Sequence, residues 1–171
     1  MAVRLIEPSI AFETAYREML QEWLETGEPL IPFVLKNDPE DFATLVAQLE
    51  GYKSGLGIPD TFVPHSTFWL IDDANDIIGV VNIRHRLTDS LLKEGGHIGY
   101  GIRPLKRKKG YATLILALAL LEAQKLGIDK VLVTCDEQNT GSVKTILNNN
   151  GVLFERKMIN NVPKLSFWIS L

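Results

Sequence analysis

The stretch from His97 to Thr113, HIGYGIRPLKRKKGYAT, decides the fold. Its first part, 97–103, predicts a strand, and the apolar run from about Tyr111 to Leu126 predicts a helix. In the loop between them, five of the seven residues from Arg103 to Lys109 are basic. A helix N-terminus has free backbone N–H groups and a partial positive charge, and small residues let a ligand approach it. The stretch therefore predicts a strand–loop–helix unit that binds an anion such as a phosphate group.

Three known anion-binding patterns can be compared with this loop. The GxxxxGK[ST] pattern is absent, and the G-x-G-x-x-P run that starts at Gly99 lacks the third glycine of a dinucleotide fingerprint. Residues 107–112 match the pattern R/Q-x-x-G-x-G/A, and Asn139 follows the next predicted strand, 130–135. With these features the chain resembles the GNAT superfamily of acetyl-CoA-dependent N-acetyltransferases.

Outward from this unit, apolar spacing predicts the element order β-α-α-β-β-β-α-β-α-β-β. We expect a single α/β (α+β) domain over residues 1–171, with a GNAT-like mixed central sheet and helices on both faces. The second helix is expected to start with Asp38 as N-cap and Pro39 in its first turn. The helix containing Leu114–Leu121 is apolar nearly all round, so it should be covered on most sides. The remaining predicted elements are strands at 2–6, 67–71, 77–87, 151–158 and 164–169, helices at 9–26, 39–50 and 140–149, and a loop at 88–95.

Composition limits the function classes. The 171 residues include 18 Lys and Arg against 21 Asp and Glu, a net charge of −3, which argues against a protein that coats nucleic acid. A nucleic-acid-binding module using the basic loop remains an alternative. No run is long enough to span a membrane and no apolar leader is expected. The single cysteine excludes an internal disulfide and two-cysteine metal motifs, so we expect a cytoplasmic protein without a metal.

The resemblance implies that acetyl-CoA, as co-substrate, lies between the strands at 97–103 and 130–135, which splay apart in the family. The residues implied to hold its pantetheine arm are Gly101, Ile102, Arg103 and Asn139. Ser142 could reach the same arm or serve only as a helix N-cap. The residues implied to hold its pyrophosphate are Arg107, Lys108, Lys109, Gly110, Tyr111, Ala112 and Thr113.

Catalytic residues are less clearly marked. His97 is the best candidate base, since an unperturbed histidine has a pKa near 6.5, although a core histidine is the alternative interpretation. Many family members place an acidic tyrosine seven residues after the asparagine, but that position is Ile146 here. Tyr100 or Tyr111 is therefore the candidate acid. Glu94 and Asp136 are weaker candidates for the base.

The resulting hypothesis is an N-acetyltransferase that acts on a primary amine of a small molecule or peptide within a ternary complex. The alternative is a CoA-binding sensor of the same fold without catalysis. The acceptor side is expected around the first two helices, with aromatic residues such as Trp23 and Phe33. Arg84 and Arg86 share one face of a predicted strand, which favours an edge strand over a substrate role. Family members often form dimers, and the C-terminal strand, 164–171, is the candidate contact for a homodimer.

Overall fold

The computed structural model describes residues 2–171, and within them it contains seven strands and five helices. The strands are β1 (Val3–Ile6), β2 (His65–Asp72), β3 (Ile77–Arg84), β4 (Ile98–Ile102), β5 (Lys130–Asp136), β6 (Val152–Ile159) and β7 (Val162–Ser170). The helices are α1 (Glu13–Glu25), α2 (Phe42–Tyr52), α3 (Asp89–Lys93), α4 (Tyr111–Lys125) and α5 (Thr140–Asn148). In this part of the chain, none of the helices combines the length and hydropathy needed to cross a bilayer.

The strands form two antiparallel sheets. One has the order β1-β2-β3-β4 and the other the order β5-β7-β6. The sheets meet where the backbone N–H of His97 donates to the carbonyl of Leu132 at 2.8 Å. The predicted α/β architecture with helices on both faces is confirmed, but its central sheet is divided between β4 and β5. A gap therefore opens beyond His97.

Two hydrophobic clusters flank the four-stranded sheet. Helices α1 and α2 pack on one face around Trp69 and Val80, and α4 and α5 pack on the other around Val81 and Ile115. Seven of the eight residues of β3 are buried because helices cover both faces of this inner strand. The apolar pattern predicted that this strand continues to residue 87, whereas it ends at Arg84.

Several predicted details were wrong at the element ends. Asp41, not Asp38, caps α2, since its carboxylate accepts from the backbone N–H of Thr44 at 3.0 Å. Pro39 precedes that helix. The predicted loop 88–95 contains the short helix α3, which Thr88 caps. Proline is typical of a first helical turn, so Pro39 favoured a cap three residues before the observed one.

Helix α4 is less enclosed than its composition predicted. Ile115, Leu116, Ala119 and Ala123 are buried, whereas Leu121 is 55% exposed. The sheet and α5 cover only part of its circumference, so apolar composition overstated the burial of this helix.

Candidate active site

A cleft of about 740 Å³ opens where β4 and β5 separate. Six segments line it: the end of α1, the α1–α2 connection, β4, the basic loop before α4, the first turn of α4, and α5 with the residue before it. Most residues that the sequence singled out lie there, namely Tyr100, Gly101, Ile102, Arg107, Lys108, Gly110, Tyr111, Ala112, Thr113, Asn139 and Ser142. His97, Arg103 and Lys109 are not among the lining residues.

The loop between β4 and α4 exposes its backbone to the cleft. Lys108 and Gly110 have positive φ angles of 60° and 84°, and no side chain caps the N-terminus of α4. The N–H groups of the first helical turn have no intrahelical partner, so they are free to bind an anion. At Gly110 nothing lies within 4 Å of the position that a Cβ would occupy, which leaves the approach open.

The charge of this loop is smaller than the sequence suggests. Three of its five basic residues form ion pairs: Arg103 with Glu22, Lys106 with Asp72 and Asp76, and Arg107 with Glu28. Lys108 and Lys109 form none with residues 2–171. These two lysines and the helix N-terminus therefore supply most of the uncompensated positive potential at the loop.

Arg107 is held from three directions. Its Nε donates to the carbonyl of Ile102 at 3.0 Å, its guanidinium lies 5.4 Å from the ring centroid of Trp23, and its Nη1 lies 2.7 Å from a carboxylate oxygen of Glu28. These contacts fix the first position of the R/Q-x-x-G-x-G/A pattern at the end of β4.

Two hydroxyl groups meet across the gap. The Tyr100 hydroxyl lies 2.8 Å from the Ser142 Oγ, and burial raises the pKa of Tyr100 to about 12. Tyr100 is thus a hydrogen-bond donor, not a base, at physiological pH. Asn139 caps α5, since its Oδ1 accepts from the backbone N–H of Ser142, so Ser142 is not the cap. Ile146 is fully buried.

The geometry does not favour His97 as a base. It is only 6% exposed, and its Nδ1 accepts from the backbone N–H of Leu132 at 2.9 Å. Burial, assisted by the charge of Arg84, lowers the pKa of His97 to about 4. The weaker base candidates, Glu94 and Asp136, both pair with Lys164.

The α1–α2 connection contributes more to the cleft than the expected acceptor residues Glu28 and Phe33, because Pro29 and Ile31 line it and were not predicted. Glu28, Pro29 and Ile31 line the cleft beside Trp23. A Cβ at Gly101 would overlap the carbonyl oxygen of Ile31 and lie 2.6 Å from the Trp23 ring, so only glycine allows this approach. The sequence feature that could have indicated this close approach is the glycine pair 99 and 101, whose spacing places both residues on one face of the strand.

The predicted aromatic acceptor pocket is divided. Trp23 lines the cleft, whereas Phe33 and Tyr52 pack around the buried His65, with ring centroids 5.3 Å and 4.9 Å from it. Phe62 packs against Phe33 at 5.8 Å. The aromatic residues therefore form two groups.

An open helix N-terminus at one end of a gap between two splayed strands suits a ligand that has a phosphate group and a long arm. Fold and cleft together define a domain of the acyltransferase type. The family model for the acetyltransferase (GNAT) domain matches residues 17–151, and the chain belongs to this family. No curated protein matches the sequence.

Solved structures share the fold at low sequence identity. Mycobacterium smegmatis RimJ in complex with CoA-disulfide is 15% identical and has a TM-score of 0.70, covering 98% of this chain and 81% of that one. The microcin C7 self-immunity acetyltransferase MccE, in complex with acetyl-CoA and AMP, is 16% identical with a TM-score of 0.68, covering 99% and 92%. A dodecameric spermidine N-acetyltransferase from Vibrio cholerae is 15% identical with a TM-score of 0.61, covering 99% and 92%.

Proposed function

We propose that this chain is a single-domain cytoplasmic enzyme that transfers the acetyl group of acetyl-CoA to a primary amine of a small molecule or peptide. The observation that carries the proposal is the cleft, which joins an uncapped helix N-terminus to a half-buried hydroxyl pair at 2.8 Å. The solved structures with bound acetyl-CoA or CoA-disulfide support the same co-substrate. The proposal requires no metal.

In this proposal the pyrophosphate binds the backbone N–H groups of residues 108–112, with charge from Lys108, while Arg107 shapes the loop through its contacts with Ile102, Trp23 and Glu28. Arg103 and Lys109 act at a distance, since they lie outside the cleft lining. The pantetheine arm runs along Gly101 and Ile102, and the free amide N–H₂ of Asn139 donates to it. Ser142 lies beside this path.

The reaction is a direct displacement. The lone pair of the neutral amine forms a bond to the thioester carbon, the C–S bond breaks, its electron pair leaves with sulfur, and the amine proton passes to water. Backbone N–H groups at the end of β4 near Ile102 stabilise the developing oxyanion. Tyr100 donates a hydrogen bond to the leaving sulfur in place of the tyrosine that Ile146 replaces. No side chain is assigned as base.

Two measurements test this proposal. Isothermal titration calorimetry should detect acetyl-CoA binding in the micromolar range, and an amine panel should release free CoA thiol in the presence of the protein. Absence of binding at high micromolar acetyl-CoA would contradict the proposal. Because three of the five basic loop residues are paired internally, we expect no salt-sensitive binding of DNA or RNA.

The second candidate function is CoA binding without turnover. The buried Ile146 at the family's tyrosine position and the engagement of His97 Nδ1 with the backbone favour it. The same amine panel separates the two candidates, because a sensor would bind acetyl-CoA and release no thiol with any amine.

Homodimer formation also remains a prediction, but the structure moves the expected contact from the C-terminal strand to its neighbour β6. The C-terminal strand β7 lies between β5 and β6, so both of its edges are already paired. The free edge is β6, where Val152, Leu153 and Phe154 are exposed. We therefore expect a dimer through β6, and light scattering of the wild type and Phe154→Glu would test it.

A further inference from the structure

Arg84 lies in the wrong place for an edge-strand residue. It ends β3, which is an inner strand, so the edge interpretation from the sequence is wrong. Its register partner on β2 is His65, and its backbone N–H donates to the carbonyl of His97 at 2.7 Å. Paired residues of antiparallel strands point to the same face, so His65, Arg84 and His97 form one row across the sheet.

The next rows along the same face lead to the cleft. Asn82 pairs with Gly99, and Val80 pairs with Gly101, which lines the cleft. The Cβ position of Gly99 lies 4.0 Å from Nη2 of Arg84. The Arg84 side chain thus lies one row beyond Gly99, on the face of β4 that Ile31 and Pro32 cover and just outside the residues that line the cleft.

The guanidinium is fixed on one side only. Nη1 donates to the carbonyls of Gly95 at 2.9 Å and Gly96 at 3.1 Å, and the Phe33 ring centroid lies 5.4 Å away. Nη2 makes no hydrogen bond with any group in residues 2–171. The protein therefore binds the guanidinium through Nη1, while the N–H groups of Nη2 can donate to a ligand.

Arg84 also lacks a counter-charge. It forms no ion pair within residues 2–171, and burial alone lowers the pKa of its guanidinium. The neighbouring His65 and His97 have pKa values lowered to about 4, so both are neutral at pH 7. In the adjacent row, the Oδ1 of the fully buried Asn82 has no hydrogen-bond donor in the part of the chain described. A partly buried cation without an anion is unfavourable unless a ligand supplies one.

We propose that Arg84 binds a carboxylate of the acceptor, so that the substrate is an amine that also carries a carboxylate group. This inference rests on the proposed acetyl transfer to an amine. Gly99 and Gly101 are two residues apart in an extended strand, a span of roughly 6.6 Å. Ile31 and Pro32 pack on this face of β4 at Gly101 and Gly99, so the acceptor reaches Arg84 only when the α1–α2 connection moves away from the strand, and a longer ω-amino acid spans the distance better than an α-amino acid.

The test compares a series of ω-amino carboxylates, from glycine to 6-aminohexanoate, with the corresponding amides. The wild type should prefer each longer carboxylate over its amide by about tenfold or more in kcat/KM, since an unpaired buried charge strongly penalises the neutral analogue. Arg84→Gln should remove this preference by lowering kcat/KM for the carboxylates and leaving the amides nearly unchanged. Arg86→Gln is the matched control, because Arg86 is exposed and the change in net charge is the same.

Two further measurements distinguish a failure of this inference from a variant that does not fold and from a failure of the proposed function. Calorimetry should give Arg84→Gln the wild-type Kd for acetyl-CoA, and if that variant does not fold, Arg84→Lys replaces it. With CoA bound, 6-aminohexanoate should bind the wild type more tightly than its amide, whether or not acetyl transfer occurs. Equal binding of the two probes, or equal losses for carboxylates and amides in Arg84→Gln, would overturn the inference. Acetyl-CoA binding without turnover of any amine would contradict the proposed function alone.

Discussion

Gly110 is the residue at which the backbone and the proposed ligand come closest. We expect Gly110→Glu to weaken acetyl-CoA binding by about a hundredfold or more, because a carboxylate at the helix N-terminus repels and replaces the pyrophosphate. Gly127→Glu is the matched control at the other end of the same helix. Its φ of 80° and its open surroundings resemble those of Gly110, with a φ of 84°, so both variants should lose similar stability. Calorimetry with acetyl-CoA checks the result, and equal affinities would refute the loop assignment.

Tyr100 carries the proposed interaction with the leaving group. Tyr100→Phe should lower kcat by roughly tenfold to a hundredfold, since one donor to the departing sulfur is lost. The Kd for acetyl-CoA should change little. Because burial raises the Tyr100 pKa to about 12, its titration should add no limb to the pH–rate profile below pH 10. Tyr111→Phe is the control, and an equal loss of kcat in that variant would argue against a specific role for Tyr100.

Strand β4 depends on a pair of glycines that differ in how closely the α1–α2 connection approaches them. Gly101→Ala should destabilise the protein by about 1–3 kcal/mol, because its Cβ would overlap the carbonyl of Ile31. Gly99→Ala should stay within about 0.5 kcal/mol, since its Cβ would be 3.5 Å from Pro32, an ordinary contact. Urea unfolding of both variants measures the difference. Equal stabilities would show that the connection can move away from β4.

These elements also show how far sequence patterns reach. The strand–loop–helix unit at 97–113 was predictable because hydrophobic period, glycine position and basic charge all lie within one short segment. The pairing of Tyr100 with Ser142 was not, since the residues are 42 positions apart and meet only through the packing of α5. The contact of Ile31 with Gly101 could not be predicted for the same reason, since the two residues are distant in the sequence. The cap of α2 was wrong for a local reason, because Pro39 favoured a start after Asp38 whereas the helix begins after Asp41.

On the scale of the whole molecule, the net charge does not show where positive charges are paired with carboxylates and where they are not. The −3 total includes a basic loop whose charge is largely compensated by Glu22, Glu28 and Asp72 from distant parts of the chain. Only the folded structure shows that an uncompensated arginine lies elsewhere, at the end of β3. Two separate positive sites suit a phosphate-bearing donor at one and an acidic acceptor at the other.

Stability of the whole fold should fall in mild acid because of two buried histidines. The pKa values of His65 and His97 are lowered from 6.5 to about 4, so the unfolded chain binds more protons than the folded chain between these pH values. The free energy of unfolding should therefore be maximal above pH 6.5 and fall toward pH 4, by about 2–3 kcal/mol for each histidine. Urea unfolding at pH 7 and pH 4.5 measures the change, and His97→Gln should reduce the loss while His65→Gln/His97→Gln reduces it further, leaving the contribution of His85, whose pKa burial also lowers. A wild type equally stable at both pH values would contradict the lowered pKa values of the two histidines.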